Sequence, residues 1–223
     1  KKGDDHFPKT KLICLENTHN ACYGSPINTD FFSEVKNIAK KHNIPIHLDG
    51  ARIFNAAIAL NKSVDKLTKD CDSVSCCLSK GLSAPVGSVI LGSKNFISKA
   101  KSLRKALGGG MRQAGLIASA GIFSLDHMIN RIIDDHSNAK ILASKLNLIK
   151  NLEINLNQVQ TNIIFIYNRD KTLSNQDLLL SLEKNNIKID YKGNSKFRLV
   201  THSGFRKEDI NAVIKIFRKI FKD

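Results

Sequence analysis

No stretch of this 223-residue sequence approaches the roughly 18 consecutive apolar residues that would span a membrane. The opening Lys1-Lys2-Gly3-Asp4-Asp5 has no apolar segment behind it, so no signal peptide is expected. No Cys-x-x-Cys pair occurs, and no His/Cys cluster has zinc spacing, so no metal site is expected. Five cysteines is an odd count, and the adjacent Cys76 and Cys77 sit in an apolar stretch where they read as small core residues. A reduced, cytoplasmic protein is the natural expectation. Internal repeats and low-complexity linkers are missing as well. Acidic residues are outnumbered, 20 against 35 basic, for a net charge of +15. A basic balance can serve nucleic acid. Here, however, lysines such as Lys36, Lys40 and Lys41 are scattered along helix faces, and no aromatic residues interleave with them as a stacking platform needs. Neither a nucleic-acid nor a membrane partner is therefore expected, while a small anionic cofactor or substrate would suit the charge.

What is present is an ordinary globular composition, 42% apolar and 25% charged, in a chain long enough for a sizeable core. Short apolar runs at 12–17, 44–48, 72–78 and 87–91 read as strands. Helices are predicted over 29–42, opening on Thr29-Asp30, over 52–60 and over 94–107. Strands alternating with helices imply a mostly parallel sheet, an α/β fold. After Gly108-Gly109-Gly110 one long helix is expected over 111–149. The character then changes to strands at 152–156, 162–167, 187–191 and 197–201, with helices at 175–185 and 207–221. That is an α+β module, so we divide the chain into residues 1–129 and 130–223.

Ligands of open α/β sheets bind at the carboxyl ends of the strands. Those ends deliver His19, then Asp49-Gly50-Ala51-Arg52, then Ser79-Lys80-Gly81. Each residue has a plainer reading. Asp before Gly is ordinary turn chemistry, a Lys after a strand is usually solvated, and Arg52 could merely open a helix. His19 and His47 read as hydrogen-bonded structural groups. The combination is more informative. A carboxylate and a Lys on two strand ends of one sheet suit a pyridoxal-phosphate (PLP) site, where the Lys carries the cofactor and the carboxylate keeps the ring nitrogen protonated.

Four stretches carry a specific resemblance: Leu15-Glu16-Asn17-Thr18-His19-Asn20, His47-Leu48-Asp49-Gly50-Ala51-Arg52-Ile53-Phe54-Asn55, Cys77-Leu78-Ser79-Lys80-Gly81-Leu82 with Pro85-Val86-Gly87-Ser88, and Gly108-Gly109-Gly110-Met111-Arg112-Gln113-Ala114-Gly115. Together they resemble the threonine aldolases of the aspartate-aminotransferase-like PLP superfamily. The resemblance implies fold type I: a three-layer α/β/α major domain with a mostly parallel sheet, followed by a small C-terminal α+β domain. It implies that Lys80 carries PLP, Asp49 pairs with the pyridine nitrogen, Arg52 lies against the ring and Ser79 donates to the phosphate. Lys105 and Arg112 would reach toward a phosphate, that of a neighbouring subunit in a homodimer or homotetramer. Arg198 would hold the substrate carboxylate, and His6 would lie near the substrate hydroxyl. The implied reaction is retro-aldol cleavage of L-threonine or L-allo-threonine to glycine and acetaldehyde. Another fold-type-I PLP lyase, an aminotransferase, or an inactive fragment retaining the fold are the alternatives. The family also carries an N-terminal portion with a Gly-Thr phosphate-binding turn and a stacking His, neither of which this sequence holds. The chain is therefore read as part of a longer protein.

Overall fold

The structure, a computed structural model, describes His6 and residues 8–223. The first sheet is built from β1 (Ile13–Glu16), β2 (Ile46–Asp49), β3 (Ser73–Cys77) and β4 (Ser88–Gly92), in that spatial order. The first three strands are parallel, and β4 is antiparallel to β3. The reason is the connection: β1 and β2 are joined through α1 (Thr29–His42), β2 and β3 through α2 (Ile53–Leu60) and the short α3 (Val64–Thr68), whereas only a turn over 78–87 separates β3 from β4. A turn of that length reverses the chain, while parallel pairing needs a crossover.

Helix α1 follows its caps. The Asn28 side chain accepts from Phe31 N–H, and Asn43 closes the helix at φ 52°. The sheet's pleat sends Leu15, Leu48, Val74 and Cys76 to one face, where they pack with Phe32, Ile53, Ala56 and Leu67 from the three helices. The opposite face carries His47, Asp49, Ser75 and Cys77, all half-buried. This alternation puts chemistry on one side of the strands and core on the other. Strand β4 is exposed along its whole length, and α4 (Lys94–Ala106) buries no residue.

The long helix expected over 111–149 is two helices, α5 (Gly115–His127) and α6 (Ile132–Leu146), bent by 70°. Burial overrides continuity at the bend. Met128 and Ile129 fold back with the fully buried Ile132 against Leu78, Leu82 and Ala84 around the Lys80 turn, and Arg131 locks onto Asp135 with two hydrogen bonds of 2.8 and 2.6 Å. No single described helix is long and apolar enough to cross a membrane.

The second sheet is antiparallel, in the order β5 (Leu152–Glu153), β6 (Ile163–Asn168), β8 (Lys196–Val200), β7 (Asp190–Tyr191). Two strands are shorter than expected. A 3-10 turn at Leu156–Gln158 ends the first, and only two residues of 187–191 pair. Helices α6, α7 (Asn175–Glu183) and α8 (Asp209–Phe221) cover one face, burying Leu142, Leu178, Phe197 and Phe217 in one cluster. On the other face the turn holding Tyr23 docks. Tyr23 meets Phe165 edge-on at 4.9 Å, hydrogen-bonds Tyr167 at 3.1 Å, and lies under the Lys196 ammonium. A segment next to β1 thus ties the two sheets together.

Candidate active site

The polar sheet face ends in a cluster. Asp49 is the last residue of β2, beside Glu16 of β1 and Ser75 of β3. Gly50 is more than turn chemistry. Its N–H donates to Ser75 O at 2.8 Å, and a Cβ at this position would sit 2.7 Å from that same oxygen. Only glycine lets the chain pass so close to β3 while turning into α2. Ala51 N–H donates to Asp49 Oδ1 at 2.9 Å, which fixes the carboxylate's aim. Arg52 follows, immediately ahead of α2.

Arg52 is perturbed by its surroundings. Burial pushes its pKa below the ordinary arginine value, and the nearby Arg198 guanidinium pushes the same way, against Glu16, Cys77 and Asp49. Arg198 comes from the second sheet, in β8. Strand β8 lies between β6 and β7, and Arg198 is half-buried. Its Nη2 donates to Asp190 at 2.7 Å across the β7–β8 register, which orients the fork. Arg52 Nη1 and Arg198 Nε are buried and have no hydrogen-bond partner among the described residues. Two interacting like charges, each with an unspent donor, are a combination that suits an anion.

Lys80 and Ser79 are exposed in the turn after β3. Ser79 Oγ lies 3.4 Å from Cys77 Sγ. Burial raises the Cys77 thiol, but the Ser79 and Ser88 hydrogen bonds and the Lys80 charge outweigh it and leave its pKa below the usual thiol value. Cys77 is therefore not the inert core residue the sequence suggested, because it faces the Lys80 turn. Cys76, on the other strand face, is buried, and burial pushes its pKa to about 11. His19 Nε2 pairs with Glu16 at 3.2 Å, and His47 Nδ1 with Ser73 Oγ at 2.8 Å. His6 lies exposed in a turn before β1.

Lys105 and Arg112 are not brought to this cluster. Both are exposed and make no hydrogen bond or ion pair with its members. Gly108, at φ 83°, ends α4, and Gly109 N–H closes the helix on Arg104 O at 2.8 Å, a C-terminal glycine cap. The Lys105 side chain lies over Gly110, where a Cβ would meet its Cδ at 2.5 Å. An open groove of about 510 Å3 lies elsewhere. It is lined by Ile187, Ile189, Leu199, Phe205, Val213 and Ile216 and contains none of the cluster residues. Among the described residues no group of three His, Cys, Asp or Glu side chains converges on a metal position. Asp190 was missed in the sequence, although the two predicted strands at 187–191 and 197–201 already allowed a hairpin pairing it with Arg198.

Comparison with known proteins places the sequence and the fold. A probable low-specificity L-threonine aldolase of Arabidopsis thaliana is 44% identical over 221 residues, covering 99% of this chain and 62% of its own length. The low specificity L-threonine aldolase of Escherichia coli is 36% identical over 218 residues, covering 98% of this chain and 62% of its own. The chain thus spans about three fifths of the length of these relatives. A solved structure of a putative L-allo-threonine aldolase from Listeria monocytogenes superposes with a TM-score of 0.79 over 95% of this chain and 61% of that one, at 18% identity, which establishes the fold. Residues 1–169 match the beta-eliminating lyase family. With its strand-end acid, arginine and lysine in place, the chain belongs to the beta-eliminating lyase family.

Proposed function

We propose that the protein to which this chain belongs binds PLP and cleaves L-threonine or L-allo-threonine to glycine and acetaldehyde. The observation that carries this reading is the pair of unpartnered guanidinium donors, Arg52 Nη1 and Arg198 Nε, on side chains from two sheets that interact with one another, with Asp49 near Arg52. The donor set fits PLP: a carboxylate with one oxygen already fixed, an arginine at the ring side, and an exposed lysine with a serine beside it. Asp49 would pair with the ring nitrogen, Arg52 and Ser79 would hold cofactor oxygens, and Lys80 would carry the group. When bound, PLP supplies an electron sink for the pair left on Cα as the Cα–Cβ bond breaks.

The remaining work belongs to the chain's own residues. Arg198, held by Asp190, binds the substrate α-carboxylate through its fork and orients the bond that breaks. One proton leaves the β-hydroxyl and one arrives at Cα. His6 is our assignment for the hydroxyl proton. Lys105 and Arg112, exposed and apart from the cluster, suit contact with a phosphate in a neighbouring copy, so a homodimer or homotetramer is part of the proposal. Residues 1–129 would form the PLP-binding portion and 130–223 the substrate-closing portion. The five cysteines, all unpaired, support a reducing, cytoplasmic setting.

The test uses the full-length protein. It should release acetaldehyde from L-threonine, and borohydride reduction with PLP should leave a pyridoxyl adduct on Lys80. Lys80→Ala should abolish turnover. Arg198→Lys should raise KM about tenfold or more, since a point charge replaces a two-donor fork. The family match also favours a β-eliminating reading. Pyruvate from serine or cysteine without acetaldehyde from threonine would select that reaction and reject ours.

A further inference from the structure

One buried polar network has no role in the chemistry above, yet it touches every element that carries it. Asn55, 2% exposed, lies on α2 one turn after Arg52. Its Nδ2 donates to His136 Nε2 on α6 at 3.1 Å and to Asn162 Oδ1, just ahead of β6, at 3.2 Å. An amide nitrogen has two protons, and both are used. Asn162 passes the link on: its Nδ2 donates to Thr201 O at 2.8 Å, and its own carbonyl accepts from Thr201 N–H at 3.0 Å. Thr201 directly follows β8, three residues after Arg198, and its hydroxyl donates to Asp135 O on α6 at 2.6 Å. The other end of the Asn55 amide faces the lysine turn. A Cβ on Gly81, the residue after Lys80, would lie 3.0 Å from Asn55 Oδ1. One side chain on the Arg52 helix therefore abuts the Lys80 turn and α6 and, through Asn162 and Thr201, reaches the end of the strand that bears Arg198.

The chemistry of the network fixes its protonation. An amide N–H can only donate, so His136 Nε2 must be the acceptor, and its proton sits on Nδ1. Burial keeps the imidazole neutral. Apolar side chains in these places could pack at several spacings, whereas a fully used set of hydrogen bonds permits one. The two orphan guanidinium donors sit on the elements so clamped. An amino acid spanning them needs their separation held, because a misplacement of about 1 Å can cost about 100-fold.

We propose that Asn55 is a positioning residue that, through His136 and Asn162, fixes the spacing between the Lys80–Arg52 side of the site and the Arg198 side, and so sets affinity for the amino-acid carboxylate. This rests on the reading of the site given above, but its test does not require cleavage. In the full-length holoenzyme, glycine binding can be read from the cofactor's absorption. Asn55→Leu keeps the volume but removes both donors, and should weaken glycine about tenfold or more while borohydride still labels Lys80. His136→Leu should do the same, whereas His136→Gln, which keeps an acceptor oxygen, should stay within about threefold. Independently, 15N spectra of the unaltered protein should show the His136 proton on Nδ1. Unchanged glycine affinity in His136→Leu overturns the proposal, as does a proton on Nε2. These readings hold even if Asn55→Leu does not fold. A protein that fails to cleave threonine but shows this pattern would reject the aldolase reading and keep the positioning one.

Discussion

At the residue scale the molecule depends on a few side chains whose burial sets their state. His136 is held neutral in the fold, its pKa pushed down by burial to about 4 from an ordinary 6.5, against the pull of Asp135. The unfolded chain takes up that proton first as the pH falls. The stability tied to the neutral ring is therefore whole above pH 6.5 and drains away between 6.5 and 4. The expected loss is about 3 kcal/mol at most. Urea midpoints measured at pH 4.5 and pH 7 should differ, and His136→Gln should shrink the difference; equal slopes in both proteins would count against a neutral buried imidazole. Gly50 is a second such point. Gly50→Ala drives a methyl into Ser75 O and should destabilise by about 1–3 kcal/mol, measured by denaturant unfolding. Neutral behaviour would mean that β2 and β3 can part at no cost.

At the scale of elements, amphipathic helices and caps account for most of the local order. Helix α8 lays Ile210, Ile214, Phe217 and Phe221 against the second sheet. Phe217→Ala should cost about 3–5 kcal/mol, since a fully buried ring leaves a cavity that a clamped sheet cannot collapse into. A loss under about 1 kcal/mol in thermal unfolding would show that the site relaxes. These helices were legible in the sequence because apolar spacing at three and four residues is a local signal; the α1 cap was expected at Thr29-Asp30 and is Asn28, one residue earlier, while Ser93 caps α4. The short α3, the bend between α5 and α6 and the two-residue β7 were not. Their limits are set by partners: Leu67 by the first sheet's core, Ile132 by the lysine turn, and Asp190 by Arg198.

At the scale of the whole molecule, β4 and α5 leave apolar side chains exposed, among them Val89, Ile90, Leu91, Ile122 and Phe123. An unpaired strand edge beside apolar residues is a template for association. The chain expressed by itself should bind a hydrophobic dye and elute above its monomer mass. Ile90→Lys with Leu91→Lys, at positions already exposed, should reduce both effects without lowering the melting temperature. Undiminished association would place the adhesive surface elsewhere.

The sequence alone determined the order of the strands, the delivery of Asp49, Arg52, Ser79 and Lys80 to strand ends, and the change to an α+β module, because each is encoded within a span of a few residues. The tertiary structure decided what those residues meet. Arg52 and Arg198 are separated by about two thirds of the chain, and the Asn55 bonds to His136 and Asn162 bridge 81 and 107 positions. No local pattern records such a pairing. It exists because the α5–α6 bend buries Ile132 beneath the lysine turn and because Tyr23 docks on β6, two long-range packing events that bring the second sheet to the open ends of the first.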